Sequence, residues 1–281
     1  MNIIYGVLER MLPFSWIEFT FMKNAFLAIL LITPLFGLVG TMIVNNKMSF
    51  FSDALGHCAL TGIALGVMFG ISNYIISMLG FAIVFAICTS FIIESEISSA
   101  DTIIGVFSSA GIAIGVLILS IKGGFSKFSN YLIGDILSIT KNEIILLGIV
   151  LLTTLFIWII IFNKLIISSL STDLARSKQV NVKFYKNIFI IVVAFIVTAS
   201  IKCMGILIIN SLLVLPAASA KNIVKNVKSY HLISVVFSLF SGITGLILSF
   251  YVGLSAGATI VIISAFIFFF TFFINKLYNL N

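Results

Sequence analysis

The chain has 281 residues, 61% of them hydrophobic and 9% charged, with a net charge of +7 and a mean hydropathy of +1.27. Soluble domains carry roughly 25% charged residues, so no soluble core could hide this much apolar surface and the chain must dissolve in lipid. The basic excess is gathered in a few short segments, which marks membrane topology rather than nucleic-acid binding.

A spanning segment must satisfy its backbone hydrogen bonds internally, which leaves helices and closed barrels. Barrel strands alternate apolar and polar residues over about 10 positions. Here the apolar runs are continuous, as in "IILLGIVLLTTLFIWIIIF" from Ile144 to Phe162. The expected fold class is therefore an all-α, polytopic bundle of eight or nine transmembrane helices, a single domain over residues 1–281. Residues 1–18 are mixed in character, with Glu9 and Arg10, and suit the membrane interface. Candidate spans follow at 19–43, 53–71, 74–93, 102–121, 143–162, 184–202, 204–220, 230–251 and 256–275. The second and seventh are short and contain Gly or Pro, so a break or a partial entry is expected in either. Pro34 and Pro216 each remove one helical hydrogen bond, and a kink is expected at both. There is no internal repeat of the kind that inverted-repeat transporters carry. Cys58, Cys88 and Cys203 lie in apolar surroundings without metal-type pairing and read as small buried hydrophobes. The segment "MNIIYGVLERMLPFSW" has no small-residue cleavage site, so a signal peptide is not expected.

Lysine and arginine in short loops set the orientation. Lys164, Arg176, Lys178, Lys183 and Lys186 lie between the fifth and sixth spans, Lys221, Lys225 and Lys228 between the seventh and eighth, and Lys276 after the last. Two spans separate each group from the next, so all three face the cytoplasm together, with residues 164–183 as a cytoplasmic loop. The N-terminal half stays unoriented, because acidic Glu94, Glu96 and Asp101 oppose basic Lys122, Lys127 and Lys141. Asn210 reads as an interhelical hydrogen bond and His231 as an interfacial residue. Asp135 is open between lining a path and capping a short helix.

The chemistry concentrates in "SDALGHCALTGIALGVMFG", Ser52 to Gly70. Residues four apart share a helix face, which aligns Asp53, His57 and Thr61 in one polar line. One position round, Ala54, Cys58, Gly62, Gly66 and Gly70 form a line of small side chains, a spacing that lets helix backbones approach closely in lipid. An ionisable side chain in hydrocarbon costs a few kcal/mol, so such groups face protein or a water-filled path. Carboxylate and imidazole together suit zinc or manganese, and two ligands become four where two copies of the helix meet across a dimer axis. The same spacing also fits a helix cap at Asp53 with His57 as a hydrogen-bond partner, and both readings stand on the spacing alone.

Four stretches read together carry a resemblance. "DALGHCALTGIALG" (Asp53 to Gly66) resembles the Asp-Ala-Leu-Ser-His-Ala…Pro-Gly segment of the zinc/manganese/iron permeases of bacterial ABC importers. "STDLARSKQV" (Ser171 to Val180) is similar to that family's cytoplasmic Asp-x-x-x-Ala-x-x-x-Gly segment, which contacts the ATPase. "MGILIINSLLVLPAASA" (Met204 to Ala220) and "LSAGATIVIISAFIF" (Leu254 to Phe268) resemble its Leu-Pro-Ala helix and the segment before its last span. The order matches from about Phe21 to Phe270. The chain departs from the pattern at Gly56 and Cys58, at Thr61 where Pro is usual, at Gln179 or Val180 where Gly is expected, and at Ser255 in place of Pro.

The resemblance implies a type II ABC importer-like permease in the bacterial inner membrane, paired with a second permease protomer. It implies a cytoplasmic ATP-binding subunit and an extracytoplasmic metal-binding protein as partners. Asp53 and His57 then touch the cation in transit; Asp173, Leu174, Ala175 and Arg176 couple to the ATPase; Gly62, Gly66, Gly70 and Pro216 serve helix packing. No Gly-x-x-x-x-Gly-Lys-(Ser/Thr) loop is present, so ATP is expected on the partner subunit and no cofactor on this chain. The transported ion is Zn2+ first and Mn2+ second, since the affinity order favours zinc. Alternatives are a proton-coupled secondary metal transporter using Asp53 and His57 as relay, and an ABC permease for a metal chelate. A membrane-embedded enzyme lacks motif support.

Overall fold

The structure is a computed structural model that describes residues 2–11, 14–71, 73–93, 98–122, 134–170 and 172–278. In chain order it comprises α1 (Asn2–Met11), a 3-10 turn (Ser15–Glu18), α2 (Thr20–Asn45), α3 (Phe51–Met68), α4 (Tyr74–Ile93) and α5 (Ala100–Lys122). A second 3-10 turn (Ile136–Ser138) leads to α6 (Lys141–Leu170), α7 (Thr172–Ser177), α8 (Val182–Ile223), α9 (Val227–Val252) and α10 (Ala256–Tyr278). No strand occurs among the described residues. Eight helices, α2 to α6 and α8 to α10, are long and apolar enough to cross a membrane.

One of the eight is two spans long. α8 has 42 residues because it is two helices joined at a kink, and together they hold enough residues for two spans of about 20. Its helical dihedrals are interrupted at Gly205, with φ 75° and ψ 163°, a region open essentially to glycine alone. The sixth and seventh expected spans are thus the two arms of α8. The break falls at Gly205 and not at Pro216, which lies inside the second arm, as Pro34 lies inside α2.

The chain divides into two compact units, residues 1–41, 135–152 and 203–281 in one, 42–134 and 153–202 in the other. In the first, α2 and α9 run antiparallel at close range. The Ser234 hydroxyl donates to the Gly37 carbonyl at 2.6 Å, and the Tyr230 hydroxyl reaches the Thr41 carbonyl at 3.4 Å. At the far end of the pair, the Phe19 and Phe250 rings lie 5.7 Å apart. The start of α2 therefore lies at the end of this unit opposite Lys225 and Lys228, which orients α2, a helix that charge counting alone left open.

At that same end, α1 is clasped onto the bundle. Tyr5 donates its hydroxyl to Asn24 Oδ1 at 2.5 Å, and Asn24 Nδ2 donates to the Ile139 carbonyl at 2.9 Å. Lys23 is paired with Glu9, and the Lys23 and Lys141 ammonium groups lie 5.9 and 5.7 Å from the Tyr5 ring centroid. A buried amine is tolerated in such a setting because charge partner and aromatic faces replace its hydration.

Candidate functional site

In the second unit, α3 is packed on two sides. A Cβ added at Gly62 would lie 2.7 Å from Met78 Cα, and one at Gly66 would overlap the Ser77 hydroxyl. Both glycines thus face α4 of the same chain. Gly70 has open space around it and sits at φ +69° just past the end of α3. Toward α5, the Thr61 hydroxyl donates to the Gly111 carbonyl, while Cβ atoms at Gly111 and Gly115 would lie 2.5 Å from Cys58 Sγ and 2.9 Å from Thr61 N. The Gly111-x-x-x-Gly115 spacing that makes this seam was visible in "GIAIG" as a small-residue helix-packing motif, and sequence reasoning passed over it. Cys58 is buried and turned to the Phe107 carbonyl at 3.9 Å, so its thiol is aimed into the α5 seam.

Two packed sides leave one open. Of residues 51–64, every one is buried except Asp53 and His57. Their side chains are 46% and 40% exposed, with His57 Nε2 3.5 Å from Asp53 Oδ2. α3 has Phe50 as its N-cap residue, with no side-chain cap bond. Two ligands at about 2.1 Å from one ion and at a tetrahedral angle stand about 3.4 Å apart, so the pair is already spaced to share a cation through one oxygen and one nitrogen. Among the described residues, no group of three or more His, Cys, Asp or Glu gathers around one point. Two donors are fewer than the three or four protein ligands that a firmly held zinc ion takes. Charged groups on the surface of a membrane helix face protein or water rather than lipid, and this open strip needs such a covering.

The other site residues lie apart from the pair. In α7, Ala175 is fully buried and anchors the helix, while Asp173 and Leu174 are exposed; the side chain of Arg176 lies outside the described residues. α7 ends in a left-handed turn: Gln179 has φ 55°, with Val180 N donating to the Ala175 carbonyl at 2.9 Å. This is the helix C-terminal geometry that glycine serves best, and it falls on one of the two positions, Gln179 or Val180, where the resemblance leads one to expect Gly. Gln179→Gly should raise stability by about 1 kcal/mol through relief of the left-handed strain, read as a higher thermal midpoint of the detergent-solubilised protein.

Asp135 caps the second 3-10 turn, its Oδ1 accepting from Leu137 N at 3.0 Å. His231 is buried, with Nδ1 2.8 Å from the Val227 carbonyl. Asp101 is exposed, and Glu94 and Glu96 lie outside the described residues.

Residues 18–275 match the ABC 3 transport family. The chain belongs to that family. This ABC 3 permease is a transport subunit rather than an enzyme, and ATP hydrolysis belongs to a separate subunit. It is 32% identical to "High-affinity zinc uptake system membrane protein ZnuB" of Haemophilus influenzae over 231 residues, 82% of this chain and 88% of the relative. With "Manganese import system permease protein ScaB" of Streptococcus gordonii it shares 30% identity over 258 residues, 92% of each. Among solved structures, PsaBC from Streptococcus pneumoniae in complex with Fab superposes with a TM-score of 0.80 at 26% identity, covering 98% of this permease and 96% of that chain.

Proposed function

We propose that this chain is the permease subunit of an ATP-driven importer of divalent metal ions, with zinc as first substrate and manganese as second. The observation that carries the proposal is the open strip of α3, where Asp53 and His57 are the two side chains left half exposed on an otherwise buried stretch. A second protomer would complete an Asp–His, Asp–His passage between the two chains. Ligation there has to be weak and brief, since a tight site would hold the ion instead of passing it on. The relatives named for zinc and for manganese support the substrate class. An oxygen-and-nitrogen donor set, with the Cys58 thiol turned toward α5, is compatible with either ion and leaves the choice to affinity order, which favours zinc.

Membership of the family supports the rest of the assembly. A cytoplasmic ATPase would dock on α7, where exposed Asp173 and Leu174 stand on a helix fixed by buried Ala175. An extracytoplasmic binding protein would deliver the ion at the end carrying the α1 clasp, opposite Lys225 and Lys228, which the positive-inside rule places in the cytoplasm. The membrane is the bacterial inner membrane. In cells that express the complete importer, uptake of radiolabelled zinc should be saturable, lost without the ATPase, and less sensitive to excess manganese than to excess zinc. Uptake that persists without the ATPase and collapses with the proton gradient would instead establish a secondary transporter.

A further inference from the structure

α7 and the Asp53/His57 pair belong to the same compact unit, and a short run of contacts joins them. The helices flanking α7 are clamped where they enter and leave it: Lys164 Nζ on α6 donates to the Tyr185 hydroxyl on α8 at 2.8 Å and lies 4.9 Å from its ring centroid. Two residues further along α8, Asn187 Oδ1 accepts a hydrogen bond from Ser90 on α4 at 2.6 Å. Neighbouring Thr89 hides its hydroxyl in the ordinary way for a membrane helix, bonding back to the Phe85 and Ala86 carbonyls at 2.8 and 3.0 Å. Buried Ser90 instead leaves its helix and reaches a residue 97 positions away.

Five residues before Ser90, about 7.5 Å along the helix, Phe85 stacks on Phe51 with centroids 6.1 Å apart. Phe85 also meets Phe107 edge-on at 6.2 Å. Phe51 is the first residue of α3, 1% exposed, and stands two residues before Asp53. Close-packed aromatic rings move together or not at all, and a helix transmits a push along its axis.

We propose that Ser90 and Asn187 form the joint through which movement of the α7 segment reaches the Asp53/His57 pair, with Phe85 and Phe51 as the next link. The joint rests on the reading of α7 as the ATPase-facing segment and of the pair as the metal passage. Ser90 and Asn187 are positioning residues, since neither belongs to the cation pair itself. Removing their bond should leave hydrolysis running while fewer ions cross per cycle.

The test uses proteoliposomes of the permease purified with its ATPase and supplied with its binding protein, and reads zinc transported per ATP hydrolysed. Ser90→Ala should lower that ratio by roughly three- to tenfold, the span of one ordinary hydrogen bond, with hydrolysis itself little changed. Asn187 is exposed, so Asn187→Ala removes the same bond with little risk to folding and should give the same loss. The double variant should be no worse than either single one, because one bond can be lost only once. An unchanged ratio in the single variants, including equal falls in transport and hydrolysis, overturns the joint, as does a double variant whose two losses multiply. Asp53→Ala in the same vesicles separates the two levels. Normal zinc transport by that variant removes the metal passage itself, whereas a silent Asp53→Ala beside a normally coupled Ser90→Ala removes only the joint.

Discussion

Asp53→Ala and His57→Ala are each expected to cut metal uptake by about 100-fold while leaving the amount of folded protein in the membrane unchanged. The size follows from ligand number. In the proposed dimer two chains would supply four groups, and an alanine in each chain would remove two of them at once; loss of even an outer-shell partner of a metal ligand costs 10- to 100-fold in affinity or activity. The unchanged folding follows from exposure. Both side chains are close to half exposed, whereas the residues around them on α3 are buried against α4 and α5. Truncating a half-exposed side chain leaves no cavity in the core. Asp53→Asn sharpens the test, because it keeps the shape and one acceptor oxygen and removes the charge that would draw the cation. It should lose most of the uptake as well. The measurement is radiolabelled zinc accumulation normalised to permease in the membrane fraction. Full uptake by both alanine variants, at normal abundance, would mean that the open strip of α3 carries no ions.

What the sequence disclosed and what it hid divide along a physical line. Apolar runs of about 20 residues report spans directly because lipid demands continuous helix, and each of the nine expected spans falls on helix, with the first starting just before α2 and the second running past the end of α3. The break that separates the sixth and seventh spans at Gly205 was foreshadowed by the glycine in "KCMGIL", since only that residue takes the dihedrals found there. The stacking of Asp53 on His57 was equally legible, being a property of one helix turn. Facing partners were not. Each step of four residues advances about 40° round a helix, so a line drawn through every fourth residue slowly winds. By Thr61 the polar line has turned through about 80° and donates to Gly111 on α5. The small line winds in the same way, with Cys58 against Gly111 but Gly62 and Gly66 against α4. One apparent stripe is therefore two seams within the chain, and neither supplies a close approach to a second protomer. Long-range pairs such as Ser90 with Asn187, and the meeting of Phe51, Phe85 and Phe107, leave no periodic trace and need the fold to be seen.

The tightest of those hidden seams carries the second large effect. Gly40→Ala should destabilise the protein by on the order of 3 kcal/mol and empty the membrane of most folded permease. A Cβ at Gly40 would overlap the Leu213 carbonyl oxygen and lie 2.9 Å from its carbonyl carbon. The obstacle is backbone on the second arm of α8, which cannot swing aside as a side chain can, so two helices must move apart. Gly37, one turn earlier on α2, meets the backbone of α9 in the same way, with an added Cβ 2.8 Å from the Ser234 carbonyl oxygen. α2 is thus held by bare backbone on two sides, and helix separation would break contacts all along both. The control is Gly148→Ala in α6, where an added Cβ meets nothing within 4 Å and alanine's helix propensity should add about 0.5–1 kcal/mol. Both variants make the same chemical change, so composition and expression load are matched, and only the neighbour differs. The comparison is the fraction of monodisperse permease surviving a heating series in mild detergent, expected to fall well below the parent for Gly40→Ala and to match or exceed it for Gly148→Ala. A Gly40→Ala protein as heat-resistant as the parent would mean that α2 and α8 are not packed backbone to backbone in the membrane.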